Sequence, residues 1–124
     1  MTLSVVLGCL LALQIKHLVA DYLFQTSNMF LNKGRYGHPG GIKHAGFHAA
    51  LTGVVLALFG VSFTSILGMA VAEFVVHYHI DWTKERLGKH AGLTPEKVNF
   101  WRLHGVDQAL HQGTYVAIVW WVFG

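Results

Sequence analysis

Long apolar stretches alternate with short polar segments along this chain, a pattern that predicts membrane-spanning helices. A span needs about 20 mainly apolar residues, and four stretches approach or exceed that length. We predict spans at about 3–30, 42–59, 64–84 and 100–123. Together they form a single all-α transmembrane domain over residues 1–124.

The segments between the spans carry the residues that end helices. A Gly/Pro-rich loop is expected over 32–41, a short uncharged turn over 60–64 and a polar loop over 85–93. The segment TPEK predicts the start of the last helix, with Thr94 as N-cap and Pro95 at the first helical position. Four helices with such short connections are expected to pack as an antiparallel bundle.

The polar residues within each stretch occupy one half of the helix and one of its faces. In the first helix His17, Asp21 and Gln25 are spaced four residues apart, and residues three or four apart share a face. The same spacing recurs in the other helices at 44/48, 73/77/81 and 104/107/108/111. Threading the chain back and forth brings all four polar halves to one side of the membrane. The sequence therefore predicts one polar cluster inside the bundle, near one membrane interface.

The composition agrees with an integral membrane protein. Of the 124 residues, 53% are hydrophobic and 12% are charged, which is about half the charged fraction of a soluble domain. The first stretch lacks a basic segment and a small-residue cleavage motif, so we expect it to stay as a span. Cys9 is the single cysteine, which excludes an intramolecular disulfide and a metal site built from several cysteines.

The distribution of Lys and Arg predicts the orientation. Eight of the nine basic residues lie in or beside the two loops on the polar side, and the ninth, Lys16, lies within the first span. The positive-inside rule then places both loops in the cytoplasm and both termini outside. We expect a multi-pass protein of the bacterial inner membrane whose partner is membrane lipid, with a homo-oligomer left open. Nucleic acid is not expected, because basic cytoplasmic loops are typical of any membrane protein.

The polar cluster combines residue types that bind transition metals. A His and an Asp four residues apart on a helix can bind one ion together, and these ligands favour Zn, with Fe or Mn as alternatives. The expected metal ligands are two His/Asp pairs and two further histidines: His17, Asp21, His77, Asp81, His48 and His111. Glu73, one turn deeper than His77, suits a general base acting on metal-bound water. The residues expected to hydrogen-bond the ligands or contact substrate are Gln25, Lys43, His44, Lys84, Asp107 and Gln108.

Four motifs in this chain together resemble a known family. They are H-x-x-x-D-Y-x-x-Q (17–25), K-H-x-x-x-H (43–48), E-x-x-x-H-x-x-x-D-x-x-K (73–84) and D-Q-x-x-H (107–111). The combination is similar to a family of small bacterial and phage membrane proteins of unknown function, and the resemblance covers about residues 14–112. It implies four spans with these polar positions and no particular activity. In size and in its His/Asp-bearing helices, the chain is also distantly similar to bacterial inner-membrane metal-dependent hydrolases.

From the chemistry of the cluster we expect a membrane-embedded metal-dependent hydrolase that acts on a lipid or lipid-linked substrate. Two alternatives stay open. A small ion, proton or small-molecule transporter would also use buried ionisable groups, but the apolar outer half of each helix offers no continuous polar track. A structural membrane module would use the polar residues only to join helices, through hydrogen bonds worth about 0.6 kcal/mol on average.

The charge distribution makes the orientation testable. With a cysteine introduced at Ser62 or at Lys89, an impermeant thiol reagent added outside intact cells should label position 62 only. The reason is that Lys89 belongs to a basic loop, which the positive-inside rule keeps in the cytoplasm. Labelling at position 89 but not at position 62 would contradict both the topology and a cytoplasm-facing site.

Overall fold

The computed structural model describes residues 2–124, which form five helices and contain no strand. The helices are α1 (Leu3–Tyr22), α2 (Ser27–Asn32), α3 (Pro39–Leu58), α4 (Phe63–His90) and α5 (Val98–Phe123). The all-α class predicted from the sequence is confirmed. The predicted number of helices, four, is wrong, because the first predicted span is divided into α1 and the short α2.

The division of the first predicted span, 3–30, occurs between Leu23 and Thr26. Thr26 has an extended backbone and acts as the N-cap of α2, since its hydroxyl accepts a hydrogen bond of 3.3 Å from the backbone N–H of Met29. Thr and Ser compete well for such cap positions and are weaker in helix interiors. The chain therefore turns after Tyr22, and α2 packs against α3 instead of extending α1.

Three other predicted boundaries also move. The predicted loop 32–41 ends earlier, because Pro39 takes the first position of α3 and the His38 ring accepts a hydrogen bond of 3.0 Å from the Gly40 N–H. The predicted loop 85–93 is mostly helical, since α4 continues to His90. The TPEK segment does not start a helix. It forms a turn in which the Lys97 N–H donates to the Thr94 carbonyl at 2.9 Å, and α5 begins afterwards.

Three of the helices, α1, α3 and α4, are long and apolar enough to cross a membrane. With 26 residues α5 is also long enough, but it is not among the helices that are apolar enough. A fourth span over 100–123 stays a prediction.

The four long helices form a ring in the order α1, α3, α4, α5, and α5 closes the ring against α1. The chain reverses between α3 and α4 within 59–62, where Gly60 has a φ of 74° and the Ser62 hydroxyl caps α4. Helices at opposite corners of the ring, α1 with α4 and α3 with α5, do not pack backbone to backbone. Their side chains instead face one another across the interior, where any polar group must find a partner.

The ring interior has an apolar half and a polar half. The core of the apolar half consists of side chains that α1, α3 and α5 bury together: Cys9, Leu13, Leu56, Tyr115, Ile118 and Val119. The outside of the bundle is apolar as well, for example along α1 at Leu7, Leu11, Ile15 and Leu18, which are more than half exposed. Apolar residues on both the inner and the outer face fit helices surrounded by lipid.

α2 approaches α3 closely at Gly40, where an added Cβ would lie 2.6 Å from the Asn28 carbonyl oxygen. Because backbone cannot move aside cheaply, we expect Gly40→Ala to cost about 1–3 kcal/mol of stability. Thermal unfolding in detergent measures this as a lower midpoint. Gly68→Ala in α4 is the matched control, since its new Cβ would meet nothing within 4 Å and alanine favours helix by about 1 kcal/mol. Equal midpoints for the two variants would contradict this packing.

Candidate metal centre

Each long helix directs two side chains into the polar half of the interior. In every pair the residues are four apart, so they share one face of the helix. The pairs are His17 and Asp21 on α1, His44 and His48 on α3, His77 and Asp81 on α4, and Asp107 and His111 on α5. We call these eight residues the His/Asp centre. Seven of them are buried, and only Asp21 is partly exposed.

Asp21 lies against three histidines from two helices. Its Oδ1 is 3.1 Å from Nε2 of His44 and 3.1 Å from Nε2 of His48. Its Oδ2 is 3.2 Å from Nε2 of His17, one turn earlier on α1. Three imidazole rings, one from α1 and two from α3, therefore surround the Asp21 carboxylate.

Asp81 plays the equivalent part on α4. Its Oδ2 is 3.3 Å from Nε2 of His44 and 3.4 Å from Nε2 of His77, and its Oδ1 is 3.3 Å from Nε2 of His111. His111 Nε2 also approaches Asp107 Oδ1 at 3.5 Å. His44 contacts both carboxylates and so connects the two groups into one centre.

The spacing of these atoms fits ligands of a metal ion. Two ligands that each lie about 2.0–2.1 Å from a tetrahedral Zn²⁺ are about 3.3 Å apart. Three overlapping groups have all their donor atoms within 4.8 Å of one another: Asp21/His44/His48/His77, His17/His77/His111 and Asp81/Asp107/His111. The described chain therefore contains His/Asp clusters that could bind a metal.

The hydrogen bonding of two histidines supports this interpretation. Among the described residues, both ring nitrogens of His77 and the Nε2 of His44 have no hydrogen-bond partner, although both side chains are about 1% exposed. Buried polar atoms nearly always have a partner, and an imidazole nitrogen without one is available to a metal ion. The Nε2 atoms of His44 and His77 lie 3.1–3.4 Å from carboxylate oxygens without hydrogen-bond alignment.

Residues around the centre hold it in position. The Tyr115 hydroxyl and His17 Nδ1 are hydrogen-bonded at 2.8 Å, which orients the ring so that Nε2 faces Asp21. The Gln108 amide donates to Asp107 Oδ2 at 3.1 Å, and its oxygen lies 3.3 Å from His17 Nε2. Such contacts to metal-binding side chains fix ring orientation and tautomer.

The structure brings together all six side chains predicted as metal ligands and adds two from the predicted supporting set, His44 and Asp107. Gln25 is partly buried and lines a cavity of about 360 Å³ beside Asp21. Lys84 forms an ion pair of 2.8 Å with Glu85. Lys43 is exposed on α3 and takes no part in the centre. The roles assigned to these residues stay predictions.

Glu73, the predicted general base, is buried in the interior and is not one of the eight residues of the His/Asp centre. Its carboxylate forms an ion pair with Lys16 on the opposite helix α1, and both side chains are at least 94% buried. The Lys16 ammonium also donates to the His48 carbonyl oxygen at 3.1 Å and lies 4.6 Å from the centre of the Tyr115 ring. Lys16 was not among the residues predicted for the site. Lys16 lies just before His17 and Glu73 lies one turn before His77, so both positions are on the deeper side of the centre, and this was a usable signal.

Lys33 is a second cation that sequence analysis did not place in the site. It follows α2, is 8% exposed, and its Nζ lies 3.1 Å from Asp81 Oδ2 and 4.0 Å from Asp21 Oδ1. The sequence around Lys33 gave no sign of a place in the site, because the predicted loop 32–41 placed Lys33 at the membrane surface. The short helix α2, which the sequence pattern did not predict, places Lys33 beside the His/Asp centre.

These observations describe a helical bundle of membrane type with a buried His/Asp centre. Residues 9–124 match DUF3307, a family of proteins of unknown function, and the chain belongs to that family. No curated protein and no solved structure matches the chain. The expected resemblance to a family of unknown function is thereby confirmed, and the comparisons show no likeness to hydrolases.

The geometry predicts how metal content depends on single ligands. We expect the purified protein to carry a divalent transition metal and Asp21→Ala and His77→Ala each to lose it, because affinity depends on the number of ligands. Elemental analysis measures the metal, and chelator should lower the melting temperature of the wild type but not of these two variants. His79→Ala is the control, since His79 lies on the same helix but is exposed and bonded to the Val75 carbonyl oxygen. Unchanged metal content in both ligand variants would support hydrogen-bonded packing instead.

Proposed function

We propose that this protein is a membrane-embedded, metal-dependent hydrolase with its His/Asp centre near the cytoplasmic face of the membrane. The observation that carries the proposal is the convergence of imidazole and carboxylate groups from all four long helices at metal-ligand spacing. Zn²⁺ suits this nitrogen and oxygen donor set, and Fe or Mn are alternatives. A bound ion of this kind makes a nucleophile from water near neutral pH and polarises an ester or phosphoester oxygen.

Glu73 is the proposed general base, and its surroundings fit that role. Lys16 holds one oxygen of the carboxylate, whereas the other, Oε2, has no hydrogen-bond partner among the described residues. A positioned carboxylate with a free oxygen can accept a proton from water. Lys16 also contacts the His48 carbonyl oxygen, so the base is tied to the backbone of a metal-binding helix.

A groove between α4 and α5 supports a lipid or lipid-linked substrate. It has a volume of about 440 Å³, and its walls are mainly apolar side chains such as Val76, Ile80 and Val106. Lys84 and Asp107 also line it, and Asp107 contacts His111 of the centre. An acyl or prenyl chain in the groove would bring the polar end of the lipid beside the centre. Ligand sites in helical bundles commonly combine apolar walls with a few polar groups in this way.

Transport is the second candidate, and the Lys16–Glu73 pair favours it, because this pair extends the buried polar groups one turn deeper than the His/Asp centre. Beyond that pair the interior consists of apolar side chains, among which Cys9, Leu13 and Leu56 are fully buried. An ion would have to cross this layer without polar ligands, which is costly in a low-dielectric interior. This layer is the reason to prefer hydrolysis.

Removal of the proposed base tests the hydrolase. Glu73→Gln should lower turnover by about 10²–10⁴-fold while metal content stays unchanged, measured with chromogenic esters and phosphoesters in lipid–detergent micelles. Glu96→Gln, in the exposed turn before α5, is the control and should leave turnover unchanged.

The single variant leaves Lys16 buried without its partner, so folding must be controlled separately. The double variant Lys16→Met/Glu73→Gln removes both charges and keeps the interior neutral. Restored turnover in the double variant would show that Glu73 serves the ion pair and is not the base. Flux of protons or ions in liposomes that Glu73→Gln stops would decide for transport.

A further inference from the structure

The ammonium group of Lys33 lies within the His/Asp centre as a fixed cation. Its Nζ contacts Asp81 Oδ2 at 3.1 Å and lies 4.0 Å from Asp21 Oδ1. Those are the two oxygens that also face His44 Nε2, at 3.3 and 3.1 Å. Lys33 therefore occupies the gap between the carboxylates of α1 and α4, which is where a bridging cation would bind.

The position of Lys33 is built into the packing of the chain before α3. A Cβ added to Gly40 would lie 2.6 Å from the Asn28 carbonyl oxygen, whereas a Cβ added to Gly41 would lie 3.6 Å from the Lys33 Cα, which is an ordinary contact distance. Gly40 thus lets the segment before α3 lie directly on that helix, with the backbone of Lys33 beside Gly41. Lys33 is 8% exposed as a result.

The formal charges of the residues around the centre sum to a value that one divalent ion would neutralise. Asp21, Asp81 and Asp107 contribute three negative charges, and Lys33 contributes one positive charge. The histidines are neutral when they bind a metal. The Lys16–Glu73 and Lys84–Glu85 pairs are each neutral. The balance of two negative charges matches a single divalent cation.

A second divalent ion would leave two uncompensated positive charges in a buried site. Placing unpaired charge in a low-dielectric interior is strongly unfavourable. We therefore propose that the His/Asp centre binds one divalent ion per chain and that Lys33 takes the place of a second ion. This inference rests on the metal centre of the proposed function and is independent of whether the centre hydrolyses anything.

The test uses the full-length protein in detergent, stripped with chelator and titrated with Mn²⁺. We expect the wild type to bind one Mn²⁺ per chain and to give the electron paramagnetic resonance spectrum of an isolated ion. Lys33→Met keeps the length of the side chain and removes its charge, so a second Mn²⁺ should bind and give an exchange-coupled pair. Lys43→Met, at an exposed lysine of α3, is the matched control and should bind one ion.

A charge-matched double variant keeps the test decisive if Lys33→Met folds poorly. Lys33→Met/Asp107→Asn removes one charge of each sign, so the balance stays at two negative charges and one ion should bind. Two ions bound to the wild type would overturn the inference. So would a single ion in Lys33→Met with unchanged affinity, because Lys33 would then have no part in setting the number of ions. A wild type that binds no Mn²⁺ and no Zn²⁺ would overturn the metal centre as a whole, whereas ion binding without hydrolysis would overturn only the proposed activity.

Discussion

Two aspartates that face one another across the interior of a helical bundle set the main constraint on this protein. Asp21 and Asp81 lie on helices at opposite corners of the ring, and both share His44 as a neighbour. Carboxylates held this close and shielded from water repel one another unless cations or hydrogen-bond donors lie between them. The surrounding histidines and the Lys33 ammonium lie between the two carboxylates and reduce this repulsion, and the proposed metal ion would reduce it further.

The bundle can meet this requirement because its two halves have different tasks. The apolar half packs α1, α3 and α5 around a fully buried core and needs no polar partner. The polar half then has rigid helices on every side, so its side chains are held at close spacing. Sites on helices are positioned more precisely than sites on loops. The buried ion pair of Lys16 and Glu73 lies where the two halves meet.

Much of the centre could be predicted from the sequence, because each pair of its residues is local. His17 and Asp21 share a face through helical spacing alone, and chain reversal places that face opposite His77 and Asp81. Contacts that depend on tertiary packing could not be predicted. Lys33 reaches the centre only because Thr26 ends one helix and starts another, and apolar residues on both sides of that break concealed it.

The distribution of the donor groups over the chain has a consequence for biogenesis. The eight residues of the His/Asp centre come two from each long helix, the first pair from α1 and the last from α5. No partial product of synthesis that lacks α5 contains the whole set, so the proposed ion would bind with full affinity only after the last helix has joined the bundle. Metal loading would then mark the end of assembly.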